Sequence, residues 1–300
     1  MKSRVVGTIF LLCLAWGYLW VPIKISLQTF PPFLFTSLRL LLGAMVLLFI
    51  QLCLKKSIMP KREELLRIFI LSFLMCIGYY GLSTFGIQYV GSGLSAILVY
   101  IMPIIINVLA HYFLGEHLNR NKIIGLCFGG AGILVILAKQ LLSLQLNMVF
   151  LGELMIIVSA FFWACATMYT KKIFAEYDKV KLTLWQLLLG GIMLFIISCF
   201  SENIFAIQWQ NSEALFYLGY SSFIGTAFAF LLWNWVIAQI EASLASISIM
   251  SVPLLGMFFG HLQLHEPLNL NIIIGAILIC IGIVSCSLKV SNLKEKYVVQ

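Results

Sequence analysis

Charged side chains are the scarcest chemical groups in this sequence, and two of them lie among apolar residues. Asp, Glu, Lys and Arg together make up only 10% of the 300 residues. Arg39 lies roughly 10 Å into an apolar run if that run is helical, and Glu153 lies about one turn into another. Intramembrane charges are costly and usually have a partner or a function. Three roles stay open for Arg39: an ion pair with Glu153, snorkelling to the interface, or binding a carboxylate substrate.

Aromatic and small polar side chains recur at helical spacing in several apolar runs. Such amphipathic aromatics with a few amides and hydroxyls suit a solute that is partly apolar. For each single residue the alternative is ordinary helix packing or a place in an interfacial belt. The predicted substrate-pathway residues are Trp16, Tyr80, Thr84, Tyr100, Asn107, Trp163, Thr167, Trp233, Asn234 and Ser246.

Two prolines, Pro103 and Pro253, lie near the middle of apolar runs. A proline inside a helix removes one backbone hydrogen bond and clashes with the preceding turn. In a membrane, the freed carbonyl groups are tolerated beside a cavity or against a packed neighbour. We expect helix kinks at both prolines that line the pathway, with a packing kink as the alternative.

Glu116 and Glu266 end their apolar runs beside Asn-containing turns, which is typical of residues that cap helices and anchor loops. His111 and His261 lie about one turn inside them, and the sequence does not define their role. No metal site, cofactor site or catalytic group is predicted. The segment Gly91-Ser92-Gly93 resembles part of a dinucleotide-binding loop, but it joins two apolar runs and is interpreted as a turn.

The elements that must position these residues are membrane-spanning helices. Hydrophobic residues make up 62% of the chain and the mean hydropathy is +1.05, which excludes a soluble globular protein. The runs are continuously apolar rather than alternating, which disfavours a β-barrel. The sequence predicts an all-α integral membrane protein with ten transmembrane helices, at approximately 4–22, 32–54, 66–88, 93–114, 122–138, 149–170, 182–200, 213–237, 243–264 and 269–288.

The basic residues are distributed asymmetrically between the two sides of the predicted membrane. If the N-terminus is cytoplasmic, sixteen of the 19 Lys and Arg residues fall on the cytoplasmic side, while only Lys24 and Lys139 fall outside. This asymmetry predicts the cell inner (plasma) membrane with both termini in the cytoplasm. The net charge of +8 is therefore attributed to topology and not to nucleic-acid binding.

The sequence repeats itself at a nearly constant shift. Pro103, His111 and Glu116 match Pro253, His261 and Glu266 at 150 positions, and Trp16, Lys24 and Gly43 match Trp163, Lys171 and Gly190 at 147 positions. Each half contains five predicted helices. Because five is odd, the second half must enter the membrane upside down. We therefore expect two inverted five-helix repeats, at 1–139 and 148–290, and a cytoplasmic tail at 291–300.

The order of these motifs in both halves resembles the EamA-type branch of the drug/metabolite transporter superfamily. The resemblance covers residues 4–288 and implies an exporter of small metabolites such as amino acids, working by alternating access, with no enzymatic activity. One departure is Gln186 in the second half, where the first half has Arg39. The expected partners are a small-molecule substrate and the lipid bilayer, and a homodimer stays open. The alternative function is an integral-membrane lipid-modifying enzyme or a lipid scaffold.

Overall fold

A computed structural model describes residues 2–114, 120–142, 147–204, 207, 209–239, 249 and 251–287. Every regular element in these residues is helical. Eight helical stretches among them are long and apolar enough to cross a membrane, and Ser251–Leu264 and Leu270–Ser285 are shorter apolar helices. The prediction of an all-α, multi-pass membrane protein is therefore confirmed.

The helices follow the predicted apolar runs, and two of these runs contain a π-helical segment. The α-helices are α1 (Lys2–Ser26), α2 (Pro32–Cys53), α3 (Arg62–Ser72), α4 (Leu82–Ile87), α5 (Ser92–Val99), α6 (Met102–Leu114), α7 (Arg120–Leu142), α8 (Met148–Ile173), α9 (Lys179–Ser201), α10 (Ser212–Gly219), α11 (Ala229–Gln239), α12 (Ser251–Leu264) and α13 (Leu270–Ser287). The π-helical segments are π1 (Phe73–Gly81), between α3 and α4, and π2 (Tyr220–Phe228), between α10 and α11.

The first helix extends past the predicted end at residue 22. Pro22 lies inside α1, which continues to Ser26 and places Lys24 in its last turn. A proline costs a helix one hydrogen bond, but it does not stop a helix that is packed on its neighbours. Cations at the end of a helix are also favourable, because the last carbonyl groups carry partial negative charge.

The two π-helical segments occupy equivalent positions in the two halves of the chain. Each has nine residues, and their first residues, Phe73 and Tyr220, lie 147 positions apart. Each also contains a glycine against the other half. A Cβ added at Gly78 would overlap the side chain of Phe162 in α8, and one at Gly225 would overlap that of Leu19 in α1. Each π-helical segment therefore packs closely on the first helix of the opposite half.

The connections between helices meet at two ends of the bundle. At one end, which we call the Lys24 end, Lys24 contacts the residues that follow α4, and the start of α8 at Gly152 packs on Gly86. At the other end, Lys56 forms an ion pair with Asp178 at 3.7 Å. The first helix of the first half thus runs toward the Lys24 end, and the first helix of the second half runs away from it.

Carboxylates close the open starts of two helices. The helix α2 begins at Pro32, after the N-cap residue Pro31, and has no capping side chain of its own. Glu202, which follows α9, accepts hydrogen bonds from the Phe33 and Leu34 amides at 2.8 and 3.0 Å. The helix α9 is capped by the preceding Asp178, which accepts from the Val180 and Lys181 amides. A helix start has unsatisfied N–H groups that need such acceptors.

Glycines allow α7 and α13 to pack backbone against backbone. A Cβ at Gly132 would lie 2.8 Å from the carbonyl oxygen of Gly275, and one at Gly275 would lie 2.9 Å from that of Gly132. A second crossing lies nearby, where a Cβ at Gly282 would be 2.7 Å from the oxygen of Gly125. Small residues give membrane helices this close approach, and van der Waals contact then holds them together.

We expect Gly132→Ala to destabilise the protein by about 1–3 kcal/mol, because the backbone of α13 must move to admit the methyl group. The matched control is Gly130→Ala in the same helix, where a Cβ meets no atom within 4 Å. The measurement is the thermal unfolding temperature of each purified variant in detergent. Equal unfolding temperatures for the two variants would show that this crossing is loosely packed.

Candidate functional site

An aromatic cluster joins the first helix to the second half of the chain. The ring of Trp16 in α1 lies 5.8 Å from Trp233 and 6.2 Å from Phe230, both in α11. The core has two hydrophobic clusters. Trp16 and Trp233 pack against the larger cluster, and Phe230 packs against the smaller one. The predicted pathway residues Trp16 and Trp233 are therefore in contact.

A second aromatic group lies around π1 and α8. The ring of Tyr79 is 4.9 Å from that of Tyr80 and 6.5 Å from that of Trp163. Tyr79 and Trp163 pack against both hydrophobic clusters, so this group lies where the clusters meet. Sequence analysis selected Tyr80 by the spacing of an α-helix and therefore missed Tyr79. In the wider turn of a π-helix, both tyrosines belong to this aromatic group.

The structure shows the surroundings of only some of the other predicted pathway residues. Thr84 in α4 and Tyr100 after α5 are buried, at 3% and 5% exposure, while Thr167 in α8 bonds the Trp163 carbonyl group of its own helix at 2.9 Å. Asn107 lies in α6 and Asn234 in α11, and their side chains are outside the described part of the structure. Ser246 lies outside the described residues.

Both predicted kink prolines lie in the first turn of a helix. The run that contains Pro103 is interrupted at Tyr100–Ile101, and α6 begins at Met102. Pro253 is the third residue of α12. The first turn of a helix tolerates proline, because its N–H group would have no helical acceptor there. Pro103 therefore begins a new helix after a break, instead of bending a continuous one.

The buried cation Arg39 lies between the two π-helical segments. Its Nε donates a hydrogen bond of 2.8 Å to Thr226 Oγ1 in π2, and its Cζ lies 5.2 Å from the ring centre of Tyr80 in π1. Glu153 is buried on α8, and it is not among the contacts of Arg39. The reason is that α2 packs on α9 and π2, whereas the start of α8 packs on α4.

A cation and a carboxylate hold the turn between α4 and α5, at the Lys24 end. Lys24 Nζ donates to the carbonyl oxygens of Ile87, Gln88 and Val90 at 2.5, 2.8 and 2.8 Å. Glu266, just after α12, accepts from the amides of Ser92 and Gly93 at 2.5 and 2.9 Å. Each charge faces the helix end of opposite partial charge. We call Lys24, Glu266 and residues 87–93 the turn clamp.

The turn clamp includes one predicted anchor, Glu266, and a histidine lies beside it. The ring Nδ1 of His261 lies 2.8 Å from the backbone oxygen of Glu266, which fixes the residue that carries the capping carboxylate. Gly91 precedes α5 as its N-cap residue, so the Gly91-Ser92-Gly93 segment is a turn and a helix start. Glu116, the predicted anchor of the first half, lies outside the described residues, and His111 lies in α6.

The described residues contain no group of three His, Cys, Asp or Glu side chains that could hold a metal ion. What the arrangement offers instead is non-covalent recognition: aromatic faces, one guanidinium group and several hydroxyl groups. Sequence analysis missed Thr226 as a partner of Arg39, as well as the acceptors of Lys24. Both depend on contacts between distant segments, 187 and 63–66 residues apart.

We expect Glu266→Gln to loosen the turn clamp, because the glutamine amide has one neutral acceptor oxygen, whereas the carboxylate has two charged ones. Hydrogen exchange of the Ser92 and Gly93 amides should become about tenfold faster or more. Exchange mass spectrometry of peptides covering residues 88–96 measures this change. The matched control is Glu213→Gln, which removes an exposed carboxylate from the first turn of α10. Unchanged exchange in Glu266→Gln would mean that Glu266 does not protect the turn.

Comparison with known proteins agrees with this architecture. The sequence matches the EamA-like transporter family over residues 4–138 and again over residues 150–288. It is 40% identical over 270 residues to the uncharacterized transporter YoaV of Bacillus subtilis (strain 168), covering 90% of this chain and 92% of that protein.

More distant relatives cover the chain equally well. The chain is 25% identical over 290 residues to the probable amino-acid metabolite efflux pump of Escherichia coli (strain K12), covering 94% of each protein. A solved crystal structure aligns with a TM-score of 0.66 at 17% identity, over 94% of this chain and 96% of that one, which supports the fold alone. Since the family match spans both halves and confirms the resemblance seen in the sequence, the chain belongs to the EamA-like transporter family.

Proposed function

We propose that this protein is a secondary transporter that exports small organic metabolites, such as amino acids, by alternating access. The observation that carries the proposal is the matched interruption of regular α-helix in the two halves. The segments π1 and π2 lie 147 positions apart, and each lies beside the aromatic groups or Arg39. Paired irregular helices around a central site are typical of transporters that are built from repeats.

The proposed architecture has ten transmembrane helices in two inverted five-helix repeats. The opposite directions of α1 and α8 relative to the Lys24 end support the inversion. The basic residues support an inner (plasma) membrane location with cytoplasmic termini, which makes the Lys24 end the outer face. The turn clamp would then close the outer end of the pathway.

Export is favoured over uptake by one relative, the probable amino-acid metabolite efflux pump of Escherichia coli (strain K12). The mixture of aromatic faces and hydroxyl groups suits a partly apolar solute and requires no covalent chemistry. The protein is therefore proposed to be a carrier and not an enzyme.

We expect cells that overproduce the protein to release a defined set of small organic metabolites faster than control cells. Metabolite profiling of the medium by mass spectrometry identifies these solutes. The control strain carries the empty vector. An unchanged medium, together with no counterflow of the candidate solutes in proteoliposomes, would contradict the transport function.

We expect Pro103→Ala and Pro253→Ala to keep normal membrane abundance and to slow transport. Alanine removes the ring that disfavours helical geometry in the preceding residue, so that the run can continue as helix, which shifts the balance between the two facing states. Single cysteines in a cysteine-free background, at position 211 on the proposed outer face and position 61 on the inner face, measure the accessibility of each side.

The two proline variants should shift accessibility in opposite directions, because the repeats are inverted. External labelling at position 61 but not at position 211 in intact cells would overturn the proposed orientation. Wild-type transport and unchanged labelling in both variants would show that the prolines only pack.

A further inference from the structure

Arg39 is a buried residue that uses only one of the hydrogen-bond donors of its guanidinium group. Arg39 is 4% exposed. It makes one hydrogen bond, from Nε to Thr226, and one ring contact, with Tyr80. A guanidinium has five N–H donors, and four of them are on the two terminal nitrogens. Among the described residues, those four have no hydrogen-bond acceptor.

The hydroxyl group of Thr226 fixes the direction of the guanidinium. Thr226 Oγ1 accepts from Arg39 Nε at 2.8 Å and donates to the backbone oxygen of Ser221 at 2.8 Å, five residues earlier in π2. Because Nε is anchored to π2 and Cζ lies over the Tyr80 ring, 5.2 Å from its centre, the terminal nitrogens are oriented in advance. A preoriented, planar pair of donors matches a carboxylate, which can accept two parallel hydrogen bonds.

The charge of Arg39 is also unbalanced within the described residues. The ion pair that they contain, between Lys56 and Asp178, lies at the far end of the bundle from the Lys24 end. A buried charge without an opposite charge is costly in a medium of low polarity. The contact with Tyr80 offsets part of this cost, since a cation is attracted to the face of an aromatic ring. A bound monoanion would offset the rest.

We propose that the terminal nitrogens of Arg39 bind the carboxylate group of the transported solute, with the aromatic rings beside π1 receiving its organic part. This inference rests on the proposed transport function and names the class of substrate. A carboxylate carries one negative charge and leaves a neutral pair, whereas a phosphate dianion would leave an excess charge in an apolar site. Tyr79 and Trp163 are the neighbouring rings, 6.5 Å apart between ring centres.

The proposed site has an arginine from the first half of the chain only. The equivalent residue of the second half is Gln186, which is neutral and buried. Two arginines facing one centre would demand a dianion, whereas one arginine and one glutamine suit a monoanion. Arg39→Gln therefore introduces the side chain that the second half already uses.

The test uses the full-length protein purified in detergent and three probes. They are 3-phenylpropionate, its neutral amide 3-phenylpropionamide, and inorganic phosphate. Binding is measured by titration calorimetry and by the rise in unfolding temperature with probe concentration. We expect 3-phenylpropionate to bind the wild-type protein at least about tenfold more tightly than either of the other probes.

We expect Arg39→Gln to weaken the binding of 3-phenylpropionate by about ten- to a hundredfold, to the level of the amide. Arg39→Lys keeps the charge but loses the planar fork, so it should bind with intermediate affinity. The matched control is Arg67→Gln, which removes an exposed cation from α3 and should bind as the wild-type protein does.

If Arg39→Gln does not fold, Arg39→Lys and Thr226→Val carry the test, and both should weaken binding of the carboxylate but not of the amide. The inference is overturned if wild-type protein binds carboxylate and amide equally, if phosphate binds most tightly, or if these variants bind as the wild-type protein does. It also fails if the exported metabolites carry no carboxylate, although the transport function would then stand. Absence of export would refute transport, while the binding measurements would still decide the role of Arg39.

Discussion

The polar groups that apolar helices leave open at their ends and interruptions must be satisfied inside the protein, because a bilayer interior offers them no water. This chain meets that requirement with very few charges. Glu202 takes the first amides of α2, Glu266 takes those of α5, and Lys24 takes the last carbonyl groups before the turn. Each charge lies in, or directly after, a different helix from the one whose end it satisfies. The polar contacts that complete individual helices therefore also fix how the helices pack.

The same requirement explains why the irregular segments pack against the opposite half of the molecule. A π-helical turn leaves its backbone groups in poorer geometry than an α-helix does, and it persists where packing or function compensates. Here π1 and π2 are each pressed by a glycine onto the first helix of the other half. The hydroxyl group of Thr226 further bridges π2 internally and contacts Arg39. The two π-helical segments, which pack closely on the opposite half, therefore both contact the buried Arg39.

Sequence reasoning succeeded where a property is local. The apolar runs and the turn at Gly91 follow from residue type and neighbours in the chain, whereas the break at Tyr100–Ile101 replaces the kink expected at Pro103. It failed where a property depends on a distant segment. Nothing local distinguishes π1 from an α-helix, since both are equally apolar, and so the spacing selected Tyr80 without Tyr79. The continuation of α1 through Pro22 and the placement of Arg39 on Thr226 likewise depend on packing between distant helices.

The pairing of helices across the two halves has a consequence for biosynthesis. Arg39 and Thr226 are 187 residues apart, and Phe33 and Glu202 are 169 apart. At about 5–20 residues per second, roughly 10–40 s pass between the emergence of each group and that of its partner. The acceptors of Lys24 lie in the same half of the chain, and the most distant of them is synthesised only 66 residues after it. The nascent first half therefore enters the membrane with Lys24 already able to bond the carbonyl groups of the turn, but with a bare guanidinium, an uncapped α2 and no Glu266 at the start of α5 until the second half arrives.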